Sequence, residues 1–175
     1  PVDQRNAERL YASMVLSDKP FMGAGTGAAD ARQTIEMASM VFGSPEELAK
    51  KPPFVSILCS LTPLGYDDNM CGAIMEYAKA GMPQLISSLA MAGATSPVTM
   101  EGTLVVQNAE LLAGITLTQL VREGTPVVFA GSSSSAAMRY GTLSIGSPEM
   151  AVNTAATAQM GRFYNLPVRG GGALT

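Results

Sequence analysis

Few residues in this 175-residue chain are of types that do chemistry, and the most regularly spaced are glycines. In "FMGAGTGAADARQTIEMA", from Phe21 to Ala38, Gly23, Gly25 and Ala28 fit the spacing G-x-G-x-x-[GA]. In a dinucleotide-binding domain that spacing lets backbone N–H groups and a helix N-terminus approach a pyrophosphate. The turn from Gly23 to Gly27 is therefore one candidate site for a nucleotide or another phosphorylated ligand. Its surroundings weaken that reading. A ribose needs an acidic partner at the tip of the second strand, about 20 residues on. Here that strand ends "ILCSLTP", and Glu46 and Glu47 fall in "SPEEL", the start of a short helix or turn. Pro20 also stands where a buried first strand would carry Val or Ile.

Absent residue types narrow the chemistry further. The chain has no histidine, which removes imidazole general bases, Ser-His triads and the commonest metal ligand; no metal site is expected. Cys59 and Cys71 make no disulfide framework and read as small buried hydrophobes in a reducing, cytoplasmic compartment. A net charge of −3 and no basic run argue against a nucleic-acid partner. No apolar run nears about 18 residues without polar interruption, so no membrane span is expected, and no signal peptide is expected either.

Whatever chemistry the chain performs must be positioned by alternating strands and helices. The strand candidates are "KPFMGAG" (19–25), "PFVSILCS" (53–60), "PQLISS" (83–88), "PVVFAG" (126–131) and "PVRGGG" (167–172). Between them, helical patterns cover roughly 29–42, a segment capped by Asp67, Asp68 or Asn69 and stopped by Gly81, about 100–122, and about 148–164. With no Asn-Gly hairpin signal between strands, successive βα connections demand a parallel sheet. The fold class is α/β, either a doubly wound domain or part of a (β/α)8 barrel, which needs about 250 residues when whole. The Gly23–Gly27 turn, "GSSSSAAMRYG" and "RGGG" fall at one C-terminal face of the strands, where barrel enzymes keep their sites. Pro1 is not an initiator, and the chain stops just after a strand-like start, so residues 1–175 read as a single domain from inside something longer.

The run "SLAMAGATSPVTMEGTLVVQNAELLAGITLTQLVREGTPVVFAGSSSSAAMRYGTLSIGSPEMA", continued by "NTAATAQMGRFYNLPVRGGGALT", resembles the trimethylamine methyltransferase family. The likeness extends over most of the chain from about Pro53 onward. Members of that family are (β/α)8 TIM barrels longer than this chain. They move a methyl group from an amine to the cob(I)alamin of a separate corrinoid protein. The resemblance thus implies an internal barrel portion, a small methylated amine as substrate, a corrinoid protein as partner and no covalently bound cofactor. Archaeal trimethylamine enzymes carry pyrrolysine, whereas many bacterial relatives lack it and use quaternary amines such as glycine betaine; no pyrrolysine is written here. The chemistry favours the quaternary donor. Its demethylation expels a neutral tertiary amine that needs no proton, and with cobalt(I) as nucleophile the protein has only to orient and shield.

On that implication the site residues lie at the strand ends. Tyr66 and Tyr140, in loops after the second and fourth strands, offer aromatic faces to an ammonium group. Arg139 can pair bidentately with a betaine carboxylate. Ser132 to Ser135, with Ser133 at their centre, offer hydroxyls to substrate or corrinoid. Ser60 and Thr62 end the second strand, Ser87, Ser88 and Met91 the third, and Arg169 is a further charged candidate on the fifth. Met138 is a second methionine outside the helical core spacing. Gly23, Gly25 and Gly27 would shape a turn near corrinoid or amine, while no catalytic residue is assigned. A nucleotide- or phosphate-binding domain and a non-enzymatic quaternary-amine binding protein stay open as alternatives. Half a barrel leaves strand edges unpaired. Light scattering should therefore find a homo-oligomer, and a monodisperse monomer would count against an open barrel.

Overall fold

A computed structural model of the chain describes residues 4–171. In chain order the elements are α1 (Arg5–Leu16), β1 (Phe21–Met22), α2 (Ala28–Phe42), α3 (Pro45–Lys50), β2 (Phe54–Cys59), α4 (Asp68–Ala80), β3 (Gln84–Ser88), β4 (Met91–Ala92), α5 (Met100–Val121), β5 (Val127–Gly131), β6 (Ser134–Ala137), β7 (Thr142–Leu143), α6 (Pro148–Phe163) and β8 (Val168–Gly170). All five expected strands form. They make one parallel sheet in the order β1-β2-β3-β5-β8, with Phe21 opposite Phe54 and Phe129 opposite Val168. Gly172, the last residue of the expected fifth strand, lies outside the described residues.

Local chemistry sets the helix limits. Ser44 and Glu47 form a reciprocal capping box that starts α3. Ser147 accepts the Met150 N–H, with Pro148 next to it, at the start of α6. Gly81, at φ +72°, ends α4 in the left-handed region that suits glycine. Two features were not expected. Helix α1 buries only Leu10, too little apolar periodicity to mark it. A second, three-stranded sheet, β4-β6-β7, joins Met91–Ala92 to the segment after the fourth expected strand, a segment expected to be a loop. There β6 and β7 form an antiparallel hairpin, Ala136 opposite Leu143, inside the loop that follows the fourth of the five sheet strands. Its turn lacks Asn-Gly and closes instead by Tyr140 and Gly141 N–H groups donating to the Ala137 carbonyl, with Gly141 at φ +63°.

The chain divides into two compact units, each assembled from three separate segments. The first comprises Pro1–Leu58, Asp68–Gln84 and Thr116–Pro126. Its core packs Phe21 against Phe54 in a tilted pair and Phe54 against Tyr77 edge-on, with ring centroids 5.4 and 5.8 Å apart. The Tyr77 hydroxyl donates to the Ala24 carbonyl at 2.6 Å, and burial pushes its pKa up. The glycine motif belongs here, and packing accounts for it. A Cβ on Gly23 would lie 2.2 Å from Ser56 Oγ, and one on Gly25 would lie 2.6 Å from the Ile57 carbonyl oxygen.

The second unit comprises Cys59–Asp67, Leu85–Ile115 and Val127–Thr175. Helix α5 is long and apolar enough to cross a membrane by length and composition. However, Thr103, Gln107 and Glu110 on it are buried and hydrogen-bonded to protein groups, as befits a helix packed on a sheet. The helices meet one face of that sheet through β3, β5 and β8. Ser88 bonds to α5, Gly131 abuts Gln107, and Gly170 abuts Thr154 of α6.

The close approach at Gly25 gives a stability prediction. Gly25→Ala must push against a strand carbonyl, and should destabilise the chain by about 1–3 kcal/mol. Thermal unfolding by circular dichroism reads this as a lowered midpoint; an unchanged midpoint would mean that the turn has room to spare.

Candidate functional site

The most heavily bonded polar group at the strand ends is Glu110, an acid the sequence reading did not single out. It sits in the middle of α5 with 2% of its surface exposed. Its Oε2 accepts the hydroxyls of Ser60 at 2.5 Å, Ser88 at 2.7 Å and Thr62 at 2.9 Å. Its Oε1 accepts the Leu64 N–H at 2.8 Å. A carboxylate only accepts, so all four groups donate to it. Leu64 presents its N–H from a left-handed φ of 55°, a conformation that costs an L-residue roughly 1–2 kcal/mol and that the bond to Glu110 helps to offset. One turn further along α5, a Cβ on Gly114 would meet the Tyr66 hydroxyl at 2.5 Å. That hydroxyl donates to the Glu110 carbonyl at 2.9 Å.

A second buried network supports the serine segment. Asn153 of α6 donates to Gln107 Oε1 at 3.1 Å and to the Ser133 carbonyl at 3.0 Å. Gln107 in turn donates to Thr157 at 2.8 Å. The Ser133 hydroxyl accepts the Ala90 N–H at 2.9 Å, and Ser134 reaches the Ser144 carbonyl and Ser147. Ser133 and Ser134 are wholly buried and are engaged in holding β4, β6 and α6 in place.

Side chains alternate between the faces of a strand, so the neighbours of the helix-facing residues point the other way. These are Cys59, Ser87, Ser132 and Arg169. Arg169 Nη1 lies 3.5 Å from Ser132 Oγ. The Cys59 thiol is hydrogen-bonded by Ser87 and feels the charge of Arg169, but burial by the surrounding protein outweighs both and raises its pKa. A thiol held protonated at neutral pH is no activated nucleophile. Cys59 is nevertheless exposed and Cys71 partly so. This corrects the expectation of two buried cysteines: by strand alternation Cys59 points away from the described helices that pack on the sheet.

The sequence-chosen residues therefore fall into separate groups. Ser60 and Thr62 converge on Glu110, and Tyr66 is packed behind them. Ser87 and Arg169 share the opposite face. Met91 is half-buried at the start of β4, where its carbonyl accepts N–H groups from Ala94, Thr95 and Ser96. Arg139 and Tyr140 lie at the exposed tip of the β6–β7 hairpin. The guanidinium there is 5.7 Å from the ring centroid, Tyr140 is 72% exposed, and Met138 beside it is 79% exposed. Gly23, Gly25 and Gly27 belong to the other compact unit. In that turn Thr26 hydrogen-bonds the Asp30 carboxylate in the first turn of α2, which puts negative charge where a phosphate would have to bind. One signal for Glu110 did exist: it is the only charged residue between Glu101 and Arg122. Among the described residues, no group of three or more His, Cys, Asp or Glu side chains could hold a metal ion.

A sequence model of the trimethylamine methyltransferase family matches residues 1–175. The chain is 48% identical over 174 residues to a glycine betaine methyltransferase of Desulfitobacterium hafniense (strain Y51), covering 99% of this chain and 36% of that protein. It is 45% identical over 125 residues to trimethylamine methyltransferase MttB1 of Methanosarcina acetivorans, covering 71% of this chain and 25% of that protein. A trimethylamine methyltransferase of Desulfitobacterium hafniense (strain DSM 10664 / DCB-2) is 36% identical over 162 residues, or 93% of this chain and 32% of the relative. The chain thus spans about a third or less of the length of these relatives.

The Glu110 hub predicts a graded loss of stability. Glu110→Gln exchanges one acceptor oxygen for an amide NH2 group, itself a donor, that faces donors, and should cost about 1–3 kcal/mol. Glu110→Ala leaves all four donors without their acceptor and should cost more. Urea unfolding of the three proteins ranks them, and equal midpoints would show that the hub holds nothing together.

Proposed function

Because the chain belongs to the trimethylamine methyltransferase family, we propose that it is part of an enzyme that takes a methyl group from a small quaternary amine of the glycine betaine type. The acceptor is the cob(I)alamin of a separate corrinoid protein, in a reducing cytoplasmic compartment. The observation that carries this reading is the 48% identity to a glycine betaine methyltransferase along 99% of the chain.

The residues present fit such a division of labour. When bound, the corrinoid supplies a strongly nucleophilic reduced cobalt, so the protein needs no nucleophile of its own. A quaternary ammonium leaves as a neutral amine, so no side chain has to deliver a proton, in keeping with a chain that has no histidine. What the protein must do is hold the donor in line and keep water away. The Glu110 hub suits the first task, because it fixes the ends of β2 and β3 through Ser60, Thr62 and Ser88. For the second, loops that follow the strands expose Leu61, Leu64, Leu89, Val98 and Met138. Exposed apolar side chains on such loops suit contact with a large macrocycle and its carrier protein. The amine contacts are drawn from Ser87 and Arg169 of the face opposite the helices, with the ring of Tyr140, the sulfur of Met91 and Arg139 in the segments that follow the strands.

Thermal-shift titration tests the reading. Glycine betaine should raise the unfolding midpoint, while NAD, FAD and nucleoside phosphates should not; stabilisation by a nucleotide alone would overturn it. Supplying cob(I)alamin and the longer parent polypeptide should then give methylcobalamin by its absorbance. Amine binding without that product would identify a binding protein.

A further inference from the structure

Of the three arginines in the second unit, Arg162 lies in the last turn of α6, whereas Arg139 and Arg169 were the two expected at the strand ends, and the structure treats these two differently. Arg139 sits on a hairpin tip and already lies over the face of Tyr140. Arg169 sits within β8, where its backbone is paired opposite Ala130 in the parallel ladder. Val168 packs on Gly161, and Gly170 on Thr154, both of α6. Alternation therefore sends the Arg169 side chain to the helix-free face. There it meets hydroxyls and a thiol: Ser132 Oγ at 3.5 Å, and the pair Ser87 and Cys59, which lies within range of its charge.

Among the described residues no acid forms an ion pair with it. The ion pairs among the described residues are Lys19–Asp18, Arg32–Glu76 and Lys79–Glu76. Glu110, the acid of the strand ends, is on the other face and already holds four donors. A guanidinium on a rigid strand, flanked by hydroxyl donors and lacking a carboxylate partner, is built to receive one from outside. We propose that Arg169 is the specificity-determining residue that binds the carboxylate of the amine substrate, with the Ser132 hydroxyl, and that it selects amino acid betaines over amines without an acid group. This rests on the methyl-donor reading above and adds to it the part of the donor that is recognised.

Calorimetric titration of the full chain with three ligands tests it: glycine betaine, tetramethylammonium, which lacks the carboxylate, and 3,3-dimethylbutanoate, which lacks the positive charge. Losing a charge-assisted pair, Arg169→Gln should weaken glycine betaine and 3,3-dimethylbutanoate by about 10- to 100-fold. It should leave tetramethylammonium unchanged, and Arg169→Lys should recover part of the loss. Circular dichroism confirms that each variant is folded; Arg169 is exposed, so neither change opens a cavity. Betaine affinity that survives Arg169→Gln, or falls at Arg139→Gln instead, overturns the assignment while leaving the methyl-donor reading intact. A chain that binds 3,3-dimethylbutanoate through Arg169 but neither ammonium ligand upholds the anchor and overturns the methyl-donor reading. A chain that binds none of the three overturns both.

Discussion

A carboxylate buried between a helix and a sheet has to be given as many hydrogen bonds as water would give it, or the fold cannot keep it there. Glu110 meets that demand with three hydroxyls and one backbone N–H, drawn from the end of β2, the loop after it and the end of β3. The requirement runs in both directions. The strand ends must stop where their hydroxyls reach α5, and α5 must present this turn and no other. At helical spacing from Glu110, Gln107 fits against Gly131 and Gly114 against Tyr66. Sliding the helix by a residue would lose all three fits at once.

That constraint splits the sheet of the second unit into two faces with different duties. On the helix side nearly every polar group is spent on structure: Ser60, Ser88, Gln107, Asn153 and Thr157 bond to one another or to Glu110. On the other side Cys59, Ser87, Ser132 and Arg169 are only loosely engaged, the contact of Arg169 with Ser132 being 3.5 Å long. A rigid scaffold behind and uncommitted polar groups in front is the arrangement that binding sites call for, because the ordering cost is met before a ligand arrives. The thiol of Cys59 shows that exposure alone does not confer reactivity, since its surroundings raise its pKa.

The glycine motif teaches the complementary point. Its spacing is that of a phosphate cradle, yet Gly23 and Gly25 are glycines because Ser56 Oγ and the Ile57 carbonyl leave no room for a Cβ. The same residue type answers both needs, so spacing alone could not separate them. The acid hydrogen-bonded within the first turn of α2 tips the balance.

By itself the sequence determined the parallel α/β order, the five strands and the helices that connect them, because buried strands and amphipathic helices leave periodic apolar patterns and Pro, Gly and Ser mark their ends. It also showed that these 175 residues contribute no imidazole of their own. It did not reveal α1 or the β6–β7 hairpin, whose segments bury too little apolar surface to leave such a pattern. Only the tertiary structure decided which strand-end residues act together. Ser60, Thr62, Ser88 and Glu110 lie as much as 50 residues apart in the chain, and no local pattern records a hydrogen bond of that range. The same holds for the two arginines. As residue types they are equal candidates, and the pleat of β8 alone turns Arg169 toward the open face while Arg139 rides on a hairpin tip.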